Sequence, residues 1–158
     1  MDDRLRSIVY RPSSIVARSP GPLRIRGHHL LCALGFRGRG YSAAFIANMD
    51  RIVRRIRARP RSKLVLLDSA DSICAACPNL RADGACRNEK ASARIRAKDR
   101  AILRRLGLKP GTVISAASAY ERVRQAITPA LLTGKLCAKC RWKSLGYCAE
   151  GLERLRRR

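Results

Sequence analysis

Residues 23–36 read LRIRGHHLLCALGF, and this stretch sets the character of the chain. Leu23-Arg24-Ile25-Arg26 alternates apolar and basic side chains, the period of a short half-exposed strand. Gly27 breaks the alternation. His28 to Phe36 is then a compact apolar segment that reads as helix. His28 and Cys32 are four residues apart, and His29 and Cys32 three apart, so on a helix either pair shares a face.

Helical signals continue outward from this segment. Gly35, Gly38 and Gly40 make a loop, GFRGRGYS, and Ser42 is placed to cap a helix from about Ala43 to Ala58. Phe45, Met49, Ile52, Val53 and Ile56 form one apolar stripe along it, and Pro60 follows its end. Leu64 to Leu67 reads as a short buried strand, and Asp68 to Arg87 as a loop. Ser92 to Leu106 is expected to be helical, with Ile95, Ile102, Leu103 and Leu106 on one side. Ser115 or Ser118 can cap a helix through Ile127, and Pro129 can open the next at its first position. A last helix is expected over about Ala149 to Arg156. The expected fold class is mostly α, an α+β chain with one or two short strands. It forms a small single-domain helical scaffold over 23–158, preceded by a flexible basic arm over 1–22.

The chain has 158 residues, with 35 Lys plus Arg against 11 Asp plus Glu, a formal charge of +24. That length suits one domain rather than two. No apolar run reaches the ~18 residues of a membrane helix, so no membrane partner is expected. Residues 1–22 lack the apolar core of a secretory signal, and a cytoplasmic location is the expectation. The charge predicts non-specific, salt-dependent attraction to nucleic acid through a basic surface. Its basic residues are scattered, however, and Arg51 to Arg61 reads equally well as the wet face of a helix. Zinc-finger, basic-zipper and RNP-type signatures are absent.

Seven cysteines stand beside two histidines, and six of them fall in two similar groups. Cys74-Ala-Ala-Cys77 is followed by Cys86, and Cys137-Ala-Lys-Cys140 by Cys148. Two residues between cysteines let one tight turn aim both sulfurs at one centre. The third cysteine of each group follows a Gly-x step, and glycine permits the positive φ of a turn there. In a reducing compartment such clusters bind metal more often than they pair as disulfides.

Each group leaves a four-coordinate site one ligand short. Seven cysteines plus His28 or His29 would fill two sites, one all-cysteine and one with three cysteines and a histidine. The other arithmetic builds one site from Cys74, Cys77, Cys137 and Cys140, leaving Cys32, Cys86 and Cys148 to other roles. Thiolate ligation selects zinc or an iron–sulfur cluster. The two C-x2-C pairs lie far apart in sequence, unlike a compact zinc finger, so the spacing favours iron–sulfur, with zinc as the alternative.

Cys32 alone, inside LLCAL, is explained as a small buried apolar residue. His28 or His29 taken singly reads more readily as a histidine bonded to backbone than as a ligand. Cys74 and Cys77, beside Asp68, Asp71 and Asn79, fit that reading poorly. Enzymatic activity is left open and leans negative. The glycine-rich loop has no G-K-[ST], the acidic residues form no pair, and nothing orients Cys32 and His28 as a nucleophile and base.

Arg26-Gly-His-His-Leu-Leu-Cys32, followed by Gly38-Arg-Gly40-Tyr41-Ser42, Ile73-Cys74-x2-Cys77-Pro78 and Cys137-x2-Cys140-x-Trp142, resembles a family of short bacterial and archaeal proteins. That family is catalogued as domain-of-unknown-function family 1284 and regarded as iron–sulfur binding. The resemblance runs from about Leu23 to Leu152. It implies that Cys32, Cys74, Cys77, Cys86, Cys137, Cys140 and Cys148 are motif positions, with His28 and His29 beside them. The expectation is a cysteine-rich iron–sulfur protein acting in electron transfer, redox sensing or structural stabilisation, with a redox protein as partner. A zinc-stabilised basic protein that binds nucleic acid is the alternative.

Overall fold

The computed structural model describes residues 21–87 and 89–158. The arm expected over 1–22 therefore lies almost wholly outside the described residues. Strand β1 (Leu23–Arg26) leads directly into helix α1 (Gly27–Gly35), so Gly27 opens the helix as well as ending the strand. A side chain could not replace its hydrogen, because a Cβ there would lie 2.6 Å from the Asp99 carbonyl oxygen.

Helix α2 (Ala43–Ala58) carries the five stripe residues inward, all of them buried, and Ser42 accepts a capping bond from Phe45 N–H. Strand β2 (Lys63–Leu67) follows and pairs parallel to β1, Ile25 opposite Leu66. The long loop to Arg87 contains a single 3-10 turn at Cys74–Ala76. Helix α3 (Glu89–Arg105) begins three residues earlier than its apolar pattern indicates.

Strand β3 (Val113–Ser115) pairs antiparallel to β2, giving the sheet order β1-β2-β3. At three residues it is too short to show a period, which is why a third strand was not legible. Ser115 caps α4 (Ala116–Ala126) by accepting from Ser118 N–H. Thr128 caps the single turn α5 (Pro129–Leu131), which widens into a π turn at Leu132–Leu136. Helix α6 (Tyr147–Arg156) starts two residues earlier than expected, so Cys148 belongs to its first turn.

The result is a mostly α, α+β architecture in which helices enclose a three-stranded sheet. Fully buried Ile25, Leu30, Ile52, Leu64, Leu66, Ile102, Leu103 and Leu152 join sheet and helices in one core. Aromatic side chains contribute little to it. Helices α1 and α6 cross at close range. A Cβ on Gly35 would sit 2.5 Å from Cys148 N, and one on Gly151 would sit 2.3 Å from Leu34 O. No helix among the described residues is long and apolar enough to cross a membrane.

Candidate metal centre

Two glycines decide where the thiols meet. Because Gly35 and Gly151 let the backbones of α1 and α6 touch, Cys32, one turn before Gly35, comes against Cys148 at the start of α6. The Cys148 thiol and burial raise Cys32 well above the ordinary thiol value, while Cys32 lowers Cys148 to about 7. Cys137 lies within electrostatic reach of Cys32, Cys148 and Cys140, and its thiol is raised by burial. The Lys98 ammonium on α3 opposes this group, lowering the Cys137, Cys32 and Cys148 thiols. Cys32 thus lies beside the thiols of the second cysteine loop.

The first loop lies alongside. Burial raises the Tyr41 hydroxyl, and both Cys77 and Cys32 add to that shift. Its ring meets Trp142 edge-on at 5.8 Å, and Arg141 lies over both rings. Cys77 and Cys137 both pack against the core from half-buried positions. Cys86 closes the first loop, opposite Leu80 in an isolated bridge.

Beneath the first loop is a buried polar network that the sequence reading did not assemble. Asp71 Oδ1 accepts from Ile73 N–H and Cys74 N–H, both at 2.9 Å, and so fixes the 3-10 turn that carries Cys74. Its Oδ2 accepts from Arg26 N–H at 2.7 Å and meets His29 Nδ1 at 2.8 Å. Asp99, fully buried, accepts Arg26 Nε–H at 2.8 Å and His28 N–H at 2.8 Å, and meets His28 Nδ1 at 2.7 Å. The Arg26 guanidinium also reaches Cys74 Sγ at 3.7 Å.

This wiring determines protonation. Burial works against both carboxylates, yet His29 and the backbone donors hold Asp71 below its usual range. Asp99 is likewise held low by His28 and Arg26. Arg26 is raised despite its burial because Asp99 lies against it. Burial, with His29 adding to it, lowers His28 to about 3, so its ring is neutral at neutral pH. A neutral His28 donates Nδ1–H to Asp99 and keeps the Nε2 lone pair. The Asp71 contact orients the His29 ring in the same way. A carboxylate on one imidazole nitrogen is how proteins orient a histidine whose other nitrogen binds metal. Burial and Asp71 push the Cys74 thiol up to about 12.

Among the described residues, His29, Asp71 and Cys74 form the one group of three whose ligand atoms all lie within 4.8 Å of one another. That group fits metal binding. Both Asp71 oxygens are already occupied by hydrogen bonds, so Asp71 serves it better as the residue that orients His29 than as a ligand. The sequence signal for Asp99 was present but unread. It falls on the apolar stripe of α3 with Ile95, Ile102 and Leu106, where a carboxylate is buried only if it is paired. Asp71, Arg26 and Lys98 carried no comparable local mark.

Fold and site together define a small α+β protein whose thiol-rich, histidine-flanked centre fits a metal-binding role. A family model described as "Protein of unknown function (DUF1284)" matches residues 40–146, and the chain belongs to that family. The match takes in five of the cysteines and stops short of Cys32 and Cys148, which the α1–α6 crossing adds. No curated protein and no solved structure matches the chain.

Proposed function

We propose that the chain is an iron–sulfur protein whose cluster is held by Cys32, Cys137, Cys140 and Cys148. In this reading His29, Cys74, Cys77 and Cys86 form a second ligand set. The carrying observation is the meeting of Cys32 with Cys148, which turns a three-thiol loop into a four-thiol group beside Lys98. The donor set is suited to the cluster: four thiols, no carboxylate among them, with a cation opposing the charge they acquire as ligands. A single zinc ion holds its sulfurs roughly 3.8 Å apart, from Zn–S bonds of about 2.3 Å. Among the described residues the group drawn in to single-ion spacing is His29, Asp71 and Cys74, not the four thiols. The wider thiol group is better matched to a multi-iron cluster.

When bound, such a cluster takes up and gives back single electrons. The chain's own residues supply the rest. Lys98 offsets negative charge at the thiolates. Tyr41 and Trp142 meet edge-on with Arg141 over both rings, beside Cys140 of the second loop. Residues 23–158 act as one unit, and the role is electron transfer with a partner protein, redox sensing or stabilisation of the fold.

Anaerobic purification with iron, sulfide and zinc analysis, and visible and paramagnetic spectra, tests this reading. Iron and acid-labile sulfide in equal amounts, lost in Cys32→Ser and kept in Asp83→Asn, are expected. A colourless protein with stoichiometric zinc overturns it.

A further inference from the structure

A cleft lies between α1, α2, α4 and α6. It encloses about 580 Å3, within the roughly 300–1,000 Å3 of small-molecule sites. Its floor is apolar: Leu34 of α1, Val53 and Ile56 of α2, and Leu155 of α6 contribute to it. Arg57, Arg154 and Arg158 stand in its wall, and the lining contains no aspartate or glutamate side chain. Tyr120 of α4 also lines it, and its hydroxyl has no hydrogen-bond partner among the described residues. Burial raises that hydroxyl, so it remains a protonated donor.

The cations are only lightly engaged. Arg57 spends one long bond, 3.3 Å, on Ala33 O, and Arg154 holds Glu150 only at 3.8 Å with half its side chain exposed. An apolar floor with cations at its wall and an unspent hydroxyl selects one chemistry, an anionic head on an apolar body. We infer that this cleft binds a small amphiphilic anion, a carboxylate or a phosphate monoester carrying an aliphatic chain. The body lies on Leu34, Val53 and Leu155. The head accepts from the guanidinium groups of Arg57 and Arg154, in the two-pronged geometry that favours arginine over lysine. The cleft shares none of the proposed metal ligands, so the inference stands apart from the metal centre.

Calorimetric titration of the full chain at fixed ionic strength tests it, with decanoate, decyl phosphate and decanol as probes below their micelle concentrations. One anion or both should bind at a single site, and decanol at least about tenfold more weakly. Arg154→Gln should weaken anion binding about tenfold, the worth of one charge-assisted bond. Ala117→Trp, which fills the mouth from an exposed position, should abolish it. Arg104→Gln, an exposed arginine of α3 outside the cleft, should leave binding unchanged and so separates the site from general attraction to a +24 chain. A preference for decanoate or for decyl phosphate identifies the head. No saturable binding of either anion overturns the inference. So does equal affinity for decanol, binding that survives Ala117→Trp, or equal weakening by Arg104→Gln.

Discussion

Replacing Gly151 with alanine tests the contact on which the thiol arrangement depends. In an unencumbered helix this change stabilises by about 1 kcal/mol, because alanine loses less backbone entropy on folding. Here the new methyl would lie 2.3 Å from Leu34 O, 2.5 Å from Leu34 C and 3.0 Å from Gly35 N. All three are backbone atoms of α1 that cannot rotate away, so the helices must part. Overpacking of this kind costs roughly 1–3 kcal/mol, and backbone obstruction places it at the upper end. After the propensity gain is subtracted, the net loss is about 2 kcal/mol, or about 4–8 °C in Tm for a chain of this length. Thermal unfolding followed by circular dichroism measures it. Gly134→Ala serves as the control, since nothing lies within 4 Å of that position. An unchanged or raised Tm for Gly151→Ala would refute the reasoning. A fall equal to that of Gly134→Ala would do the same.

Other expectations follow from the polar network and the thiols. Asp99→Asn removes the counter-charge of buried Arg26 and should cost about 3 kcal/mol or more, seen as a lower urea midpoint at unchanged slope. Acid should destabilise the protein in two stages. His28, lowered to about 3, contributes stability that is full above the ordinary histidine value of 6.5 and is lost as pH falls below it. Asp71 and Asp99, held low in the fold, contribute stability present above the ordinary carboxylate value of 3.8 and lost as pH falls through their folded values. Each proton adds a slope of about 1.4 kcal/mol per pH unit, and His28→Asn should flatten the stage between 6.5 and 4 in urea titrations across pH. Stripping the anaerobic protein with a chelator should lower its Tm while leaving Cys32→Ser unmoved; equal shifts in both would separate stability from the thiol centre.

The local elements were legible because their causes are local. Ser42, Ser115 and Thr128 cap the helices they precede, and the stripe from Phe45 to Ile56 needs only helical spacing to be read. The strand Leu23–Arg26 shows its alternation in four residues. Strand β3 left no such mark because three residues exist as a strand only through pairing with β2. Likewise Asp71 looks like any loop aspartate until Arg26 and His29 converge on it.

Sequence alone determined which residue types are available for chemistry: two cysteine groups, a histidine pair beside Cys32 and a basic chain with few aromatic anchors. The repeat of C-x2-C and a third cysteine is a matter of spacing, and spacing survives without a fold. Where Cys32 lies relative to the two groups was decided only in three dimensions. Cys32 could have served either loop or neither. It meets Cys148 because two glycines far apart in the chain allow α1 and α6 to touch, and that close approach belongs to packing, where no short stretch of residues records it.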